Sequence, residues 1–307
     1  IVARNLEVTL ARPGSEYVGQ ARFSDGLTAM QGYVPFRTDM NTTFKIDGGR
    51  VIFDRMNLRT EGVESVLHGD VNLTYWPELM LDVKSSIDLP KMRELFFAGE
   101  TFTLTGKSEF NGTFHLFKEP LPDGTTRTGR ELKGTFVSPT ATISDYRFDD
   151  LRGQVRWTPE VLRINEATTR MYGGDARFTY LMAPLNAPGV TPTASFDATW
   201  KNVDLTEFTN FLGTDGIRLA GRMSGHNLLE WPLRRFSSRS GKGELHLTPP
   251  EGATLMTREM PIGRIREVES RGQPAGPFSP LTPFEPVPIG GDLVYAQRIG
   301  VTHADVD

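Results

Sequence analysis

Between Thr101 and Phe117 the even positions read Phe102, Leu104, Gly106, Ser108, Phe110, Gly112, Phe114 and Leu116, and nearly all odd positions are polar. Alternation with a period of two places one set of side chains on each face of a β-strand. At about 3.3 Å per residue this segment spans roughly 50 Å, far beyond an ordinary strand, so a bend or bulge is expected at Gly106 or Gly112. The pattern returns in Leu67, Gly69, Val71, Leu73 and Tyr75, and again in Leu79, Leu81, Val83 and Ile87. Further copies are Ala176, Phe178 and Tyr180; Ala194, Phe196, Ala198 and Trp200; and Ile217, Leu219 and Met223. Each copy has polar residues between its apolar ones, which predicts antiparallel sheet with one dry and one wet face over most of the chain.

Two segments read as short helices, 87–96 and 203–213, and each follows an alternating strand. In the first, Asp88 is placed to cap and Pro90 to occupy the first turn; in the second, Asp204 caps, Glu207 stands three residues on and Gly213 follows the end. Leu89 and Leu205 are 116 residues apart, and Gly106 and Gly221 are 115 apart. Upstream, Gly69–Tyr75 resembles Gly174–Tyr180, and Gly19–Phe36 resembles Gly134–Trp157. The chain therefore reads as an internal repeat: unit one over 1–133, unit two over 134–242, and an incomplete third unit over 243–307. The expected fold is mainly β and repeat-built: a long curved antiparallel sheet, groove- or solenoid-like, with two short helices.

The third unit contains a proline-rich strap, 272–288, in which Pro274, Pro277, Pro280, Pro283 and Pro286 recur every third residue. Three residues is the turn of a polyproline II helix, so an extended segment without regular hydrogen bonding is expected. It serves either as a ligand for a partner groove or as a connection over the protein's own sheet.

At 307 residues core size is not limiting, and 31 Gly with 21 Pro imply frequent turns. The net charge of −4 and the scattered Lys and Arg argue against nucleic acid. The lack of cysteine excludes disulfides, thiol catalysis and cysteine-ligated zinc. No apolar run approaches the eighteen or so residues of a membrane span, and the opening Ile1-Val2-Ala3 suggests a processed or excised chain.

Candidate chemistry is thin. Thr105-Gly106-Lys107-Ser108 resembles the tail of a phosphate-binding loop, but Thr101 stands where the first glycine belongs, and the segment continues a strand. His68, His115, His226, His246 and His303 are far apart without metal-site spacing. Asp149-Asp150, between Arg147 and Arg152, reads as a charged turn. No catalytic residue, metal ligand or cofactor is implied, and the chain is expected not to be an enzyme.

The unit formed by an alternating strand, an Ile-Asp-Leu or Val-Asp-Leu entry to a short helix, and a strand with Leu-x-Gly resembles the AsmA-like superfamily, including its translocation and assembly module branch. The residues are Ile87-Asp88-Leu89 through Leu104-Thr105-Gly106 and Val203-Asp204-Leu205 through Leu219-Ala220-Gly221. The similarity covers most of 19–247. It implies a middle segment of a longer, membrane-anchored envelope protein of the periplasm, with a groove-like sheet that moves phospholipid between inner and outer membranes or assists outer-membrane assembly. The expected partners are phospholipid or another acyl-chain lipid and an envelope protein, and no nucleic acid.

A curved sheet with an apolar concave face would offer acyl chains a dry path. The candidates for that face are Leu73, Leu81, Val83, Phe102, Leu104, Phe110, Phe114, Phe178, Phe196, Trp200, Leu219 and Met223. The alternative is a closed core, as in a β-sandwich or solenoid scaffold or adhesion segment.

Overall fold

The computed structural model describes residues 2–28, 34–75, 78–98, 102–143, 146–212, 219–252, 287–288 and 291–298. The strands are β1 (Val2–Ala11), β2 (Tyr17–Thr28), β3 (Phe36–Asp47), β4 (Arg50–Thr60), β5 (Val63–Asn72) and β6 (Glu78–Asp88). Helix α1 (Leu89–Phe96) leads into β7 (Leu104–Pro120), β8 (Thr126–Ile143), β9 (Tyr146–Trp157), β10 (Leu162–Met171), β11 (Gly174–Ala183) and β12 (Thr193–Asp204). After α2 (Leu205–Leu212) come β13 (Leu219–Ala220), β14 (Arg222–Pro232), β15 (Ser240–Thr248), β16 (Val287–Pro288) and β17 (Gly291–Arg298).

Fifteen of these strands form one sheet in chain order, broken only by the exclusion of β13 and β16, which pair with each other in parallel. Every pair in the large sheet is antiparallel, and β1 and β17 stand at its two edges. The sheet is a β meander, as the alternation predicts, and it is not closed. With strands about 4.8 Å apart, it is roughly 65 Å across. The boundaries expected at 133/134 and 242/243 fall inside β8 and β15, so the sheet runs through them unbroken.

The two helix entries are alike in detail. Each helix has eight residues and directly follows its strand. The Asp88 carboxylate accepts from the Lys91 backbone N–H at 3.1 Å, and that of Asp204 accepts from Thr206 and Glu207 at 2.9 and 3.1 Å. The backbone N–H of Asp88 donates to Gly62 O at 2.7 Å and that of Asp204 to Tyr172 O at 2.8 Å. Each carbonyl lies in the turn before the preceding strand, so the Glu207 side chain is not needed for a reciprocal cap; Gly213 lies outside the described residues. By contrast, the similar segments Gly69–Tyr75 and Gly174–Tyr180 are not equivalent: the first runs off the end of β5, and the second opens β11.

Bulges interrupt the ladders and bend them. In β7 the register shifts between Gly106 and Glu109, so the bend expected in this strand falls at Gly106 (φ 102°), while Gly112 pairs regularly with Gly134. Asp25, Asp150, Glu166 and Asn202 take left-handed conformations at the bulges in β2, β9, β10 and β12. Asp149-Asp150 is therefore a strand bulge, not a turn: Arg147 Nε donates to Asp149 at 3.1 Å, and Arg170 pairs with Asp150. Gly221 (φ 136°) likewise splits the strand expected through Leu219 and Met223, sending Leu219 out of the large sheet to pair with Val287. The expected strap over 274–286 lies outside the described residues; its end, Val287–Pro288, forms that short parallel bridge and so is not free of regular hydrogen bonding.

Candidate functional site

Residues directly opposite in an antiparallel ladder share a face, so the register identifies the apolar one strand by strand. One line runs Gly19, Phe44, Phe53, Gly69, Leu81, Phe114, Leu132, Trp157, Leu162, Met182, Ala194 and Trp231. Another joins Leu67, Val83, Gly112, Gly134 and Val155, and continues through Ile164, Tyr180, Phe196 and Leu229. The opposite face is charged, with Arg22–Glu7 at 2.5 Å, Arg50–Asp70 at 3.2 Å, Arg156–Glu131 at 2.6 Å and His226–Asp197 at 2.6 Å. The Arg156 hydrogen bond holds the Glu131 carboxyl below its ordinary pKa.

The apolar face covers itself. Large side chains lie across glycines of neighbouring positions, so that an added Cβ at Gly19 would meet the Phe44 ring at 2.5 Å. One at Gly112 would meet the Phe110 ring at 2.6 Å, and one at Gly241 would meet Leu229 at 2.5 Å. Three clusters result: Leu67, Leu81, Val83 and Phe110; Ala141, Phe148, Ala167, Phe178 and Ala198 with Leu89 of α1; and Val203, Leu205 and Met223. Among the described residues no second large sheet lies over the face; the two short helices pack against it near one end of the strands, and Leu219 of the two-stranded β13–β16 ladder packs against the third cluster.

Nine of the twelve candidates share this face. Leu81, Val83, Phe110, Phe178 and Met223 are buried in the clusters, and Leu104, Phe114, Phe196 and Trp200 pack against them half-buried. The Phe178 and Phe196 rings are 5.1 Å apart. Three stand elsewhere. Leu73 is 49% exposed because β5 ends at Asn72, whose side chain accepts from the backbone N–H groups of Thr74 and Tyr75 and turns the chain. Phe102 precedes β7, sets its ring tilted against Phe97 at 5.7 Å and offers its carbonyl to Arg93 Nε at 3.0 Å, so it belongs to the helix connection. Leu219 lies in β13, against the third cluster rather than on the large sheet.

The same face includes residues of the first strands that the sequence pattern does not single out. Phe23, Met40, Phe44, Ile46, Phe53, Met56 and Leu58 are all half-buried on the same face. Leu6, Val8 and Leu10 of the edge strand are 55–57% exposed. Their alternation is legible in Met40, Thr42, Phe44 and Ile46, where the threonine weakens it.

A few small polar side chains interrupt the face, and most are satisfied locally. Thr42 Oγ1 donates to Arg55 O at 3.0 Å, Ser108 Oγ to Val137 O at 3.3 Å and Thr169 Oγ1 to Asp149 O at 2.9 Å, each carbonyl lying at or close to a bulge; Ser65 and Ser85 bond each other at 2.7 Å. Asn227 differs: it is 9% exposed, and its Oδ1 has no hydrogen-bond partner among the described residues. Such an acceptor costs about 1–3 kcal/mol.

Among the described residues no group of three or more His, Asp or Glu is placed to hold a metal, and no helix is long and apolar enough to cross a membrane. The phosphate-loop resemblance falls within β7, where Lys107 and Ser108 are strand residues paired with Asp88 and Ile87. A cleft of about 290 Å³ lies at the strand ends between Arg127, Pro159, Glu160 and Asn186, where Arg127 is neutralised by Glu119 at 2.7 Å and Glu160 at 3.0 Å. No protein-family model, curated protein or solved structure matches the chain.

Proposed function

We propose that the chain is a passive track for acyl-chain lipid, phospholipid above all, in the periplasm between inner and outer membranes, and that it has no catalytic role. One observation carries this reading: an open sheet of fifteen strands presents a continuous apolar face that, among the described residues, is covered only in part, by two short helices and the two-stranded β13–β16 ladder. Each methylene moved from water onto such a face gains about 0.8 kcal/mol, so a chain sliding between equally apolar rows has little to gain or lose along the way. Movement of this kind requires no acid, base or metal. The opposite face, ion-paired and solvated, keeps the sheet wet on its other side. The resemblance of the strand–helix–strand unit to AsmA-like proteins supports the same reading, including an envelope protein as partner at one end of the track.

Mass spectrometry of an organic extract of the purified protein tests it, together with crosslinking by a phospholipid carrying a photoreactive acyl chain. Co-purified lipid and crosslinks at Phe44, Phe114 or Phe196 are expected. An extract free of lipid and an absence of crosslinks would leave a structural scaffold.

A further inference from the structure

Over much of the solvated face the charges cancel in pairs. Arg22 pairs with Glu7, Arg50 with Asp70 at 3.2 Å, Arg59 with Glu64 at 2.6 Å and Arg170 with Asp150. The middle of the sheet breaks that pattern. Across β8, β9 and β10, Lys133 stands directly opposite Arg156, and Arg156 directly opposite Arg163. Four residues back along β9, Arg152 stands opposite Thr168, which stands opposite Arg177 of β11. The register puts all five cations on the solvated face, and all five are exposed. Lys133 and Arg156 share one carboxylate, that of Glu131, at 3.7 and 2.6 Å. Arg152, Arg163 and Arg177 make no ion pair among the described residues, and the nearby Glu166 accepts from Gln154 Nε2 at 2.9 Å. Like charges directly opposite one another weaken an antiparallel ladder. A local rule broken with no compensation inside the fold marks a place where something outside supplies it.

We infer that the solvated face of β8–β11 docks on an anionic phospholipid bilayer, with Lys133, Arg152, Arg156, Arg163 and Arg177 over its headgroup phosphates. With strands about 4.8 Å apart and residues about 3.3 Å apart along them, the five cover roughly 14 by 13 Å. The shorter, uncharged Thr135, Gln154, Thr168 and Thr179 stand between them, so the cations are spread over an open surface and not gathered around one enclosed ligand. Such spacing suits separate phosphates in a plane, and the guanidinium fork suits a phosphate better than a point charge does. Near an anionic leaflet each arginine strengthens attachment about fivefold, and salt screens the effect beyond about 8 Å at physiological ionic strength. Docking by this face turns the apolar face away from the bilayer and does not depend on a lipid lying there.

The test is co-sedimentation of the full chain with vesicles of phosphatidylcholine alone or of phosphatidylcholine and phosphatidylglycerol at three to one, at low and physiological salt. Binding to the anionic vesicles, weakening as salt rises, is expected, with little binding to the neutral ones. Arg163→Gln should lower the partition coefficient about fivefold with its thermal midpoint unchanged or raised, because a cation facing Arg156 is removed. The triple variant Arg152→Gln, Arg163→Gln, Arg177→Gln should lower it about a hundredfold while retaining acyl-chain lipid as the unaltered protein does, which separates failure of docking from failure of the track. Arg59→Gln, a paired cation of the same sheet face, should leave the partition unchanged. Equal partition to both vesicles, or full binding by the triple variant, would overturn the inference. Displacement by inorganic phosphate beyond that by sodium chloride of equal ionic strength would also overturn it, in favour of a discrete anion site. Binding to neither vesicle would overturn it in favour of an acidic protein on this face.

Discussion

The face of β2–β5 and the face of β8–β12 obey one pattern but reach different densities. In the first region large residues recur on adjacent strands, and Phe23, Met40, Phe44, Phe53, Met56 and Leu58 stay half-exposed. In the second, alanines and large residues alternate: Ala141, Ala167 and Ala198 are at most 1% exposed in a cluster with Phe136, Phe148, Phe178 and Phe196, and Leu89 and Met92 of α1 pack on the same cluster. A sheet can therefore bury much of its own apolar face by setting large side chains over small ones, with one short helix completing the cover. Where large neighbours large, the side chains stay partly exposed.

The strongest test of this difference is a charge placed in each region. Phe178→Asp buries a carboxylate in the dense cluster, and loss of several kcal/mol with collapse of the thermal midpoint is expected. Phe44→Asp should fold with a much smaller shift and lower lipid retention instead. If the two variants unfold alike, the first region is a closed core and the comparison fails.

Backbone packing is the next lever. Gly106→Ala puts a Cβ at φ 102° and 2.3 Å from Thr140 O, and a loss of about 1–3 kcal/mol is expected in chemical denaturation. Gly14→Ala, with nothing within 4 Å, is the matched control and should be neutral.

A smaller effect separates helix entry from sheet packing. Asp88→Ala and Asp204→Ala each remove a side-chain cap, and each should lower stability by about 1 kcal/mol without altering the dense cluster's near-ultraviolet circular dichroism. Unequal losses would mean that the two units are not energetically equivalent.

The smallest expected effect is on the wet face. Arg156, foremost, holds Glu131 below its ordinary value of 4.5, so this pair's contribution is present above that value and is lost as pH falls through the lower folded one. Glu131→Gln should be less stable than the unaltered protein at pH 7 by under about 1 kcal/mol, and the gap should narrow towards pH 3 in urea midpoints.

Much of this was legible in residues. The alternation through Phe110 and Phe114 gave both strand and face, and Asp88 and Asp204 marked both helix entries, because capping and period-two patterning are local chemistry. Leu73, Phe102 and Leu219 were misplaced for equally local reasons that pattern alone does not weigh: an Asn72 turn, a helix connection and a left-handed Gly221 each stopped a strand that the hydrophobic spacing carried on. The early strands were missed where Thr42 dilutes the alternation, although in the sheet its hydroxyl is absorbed by Arg55 O.

By itself the sequence determined that the chain is sheet with one dry face and where its two helices start, since each depends on residues close in the chain. Only the tertiary structure decided that fifteen of the strands form one open sheet instead of two closed layers, that the face is dense in one region and exposed in another, and that Asn227 Oδ1 lacks a donor among the described residues. Those depend on which strand stands beside which, and on the size of the side chain opposite, and neither quantity is carried by any one segment.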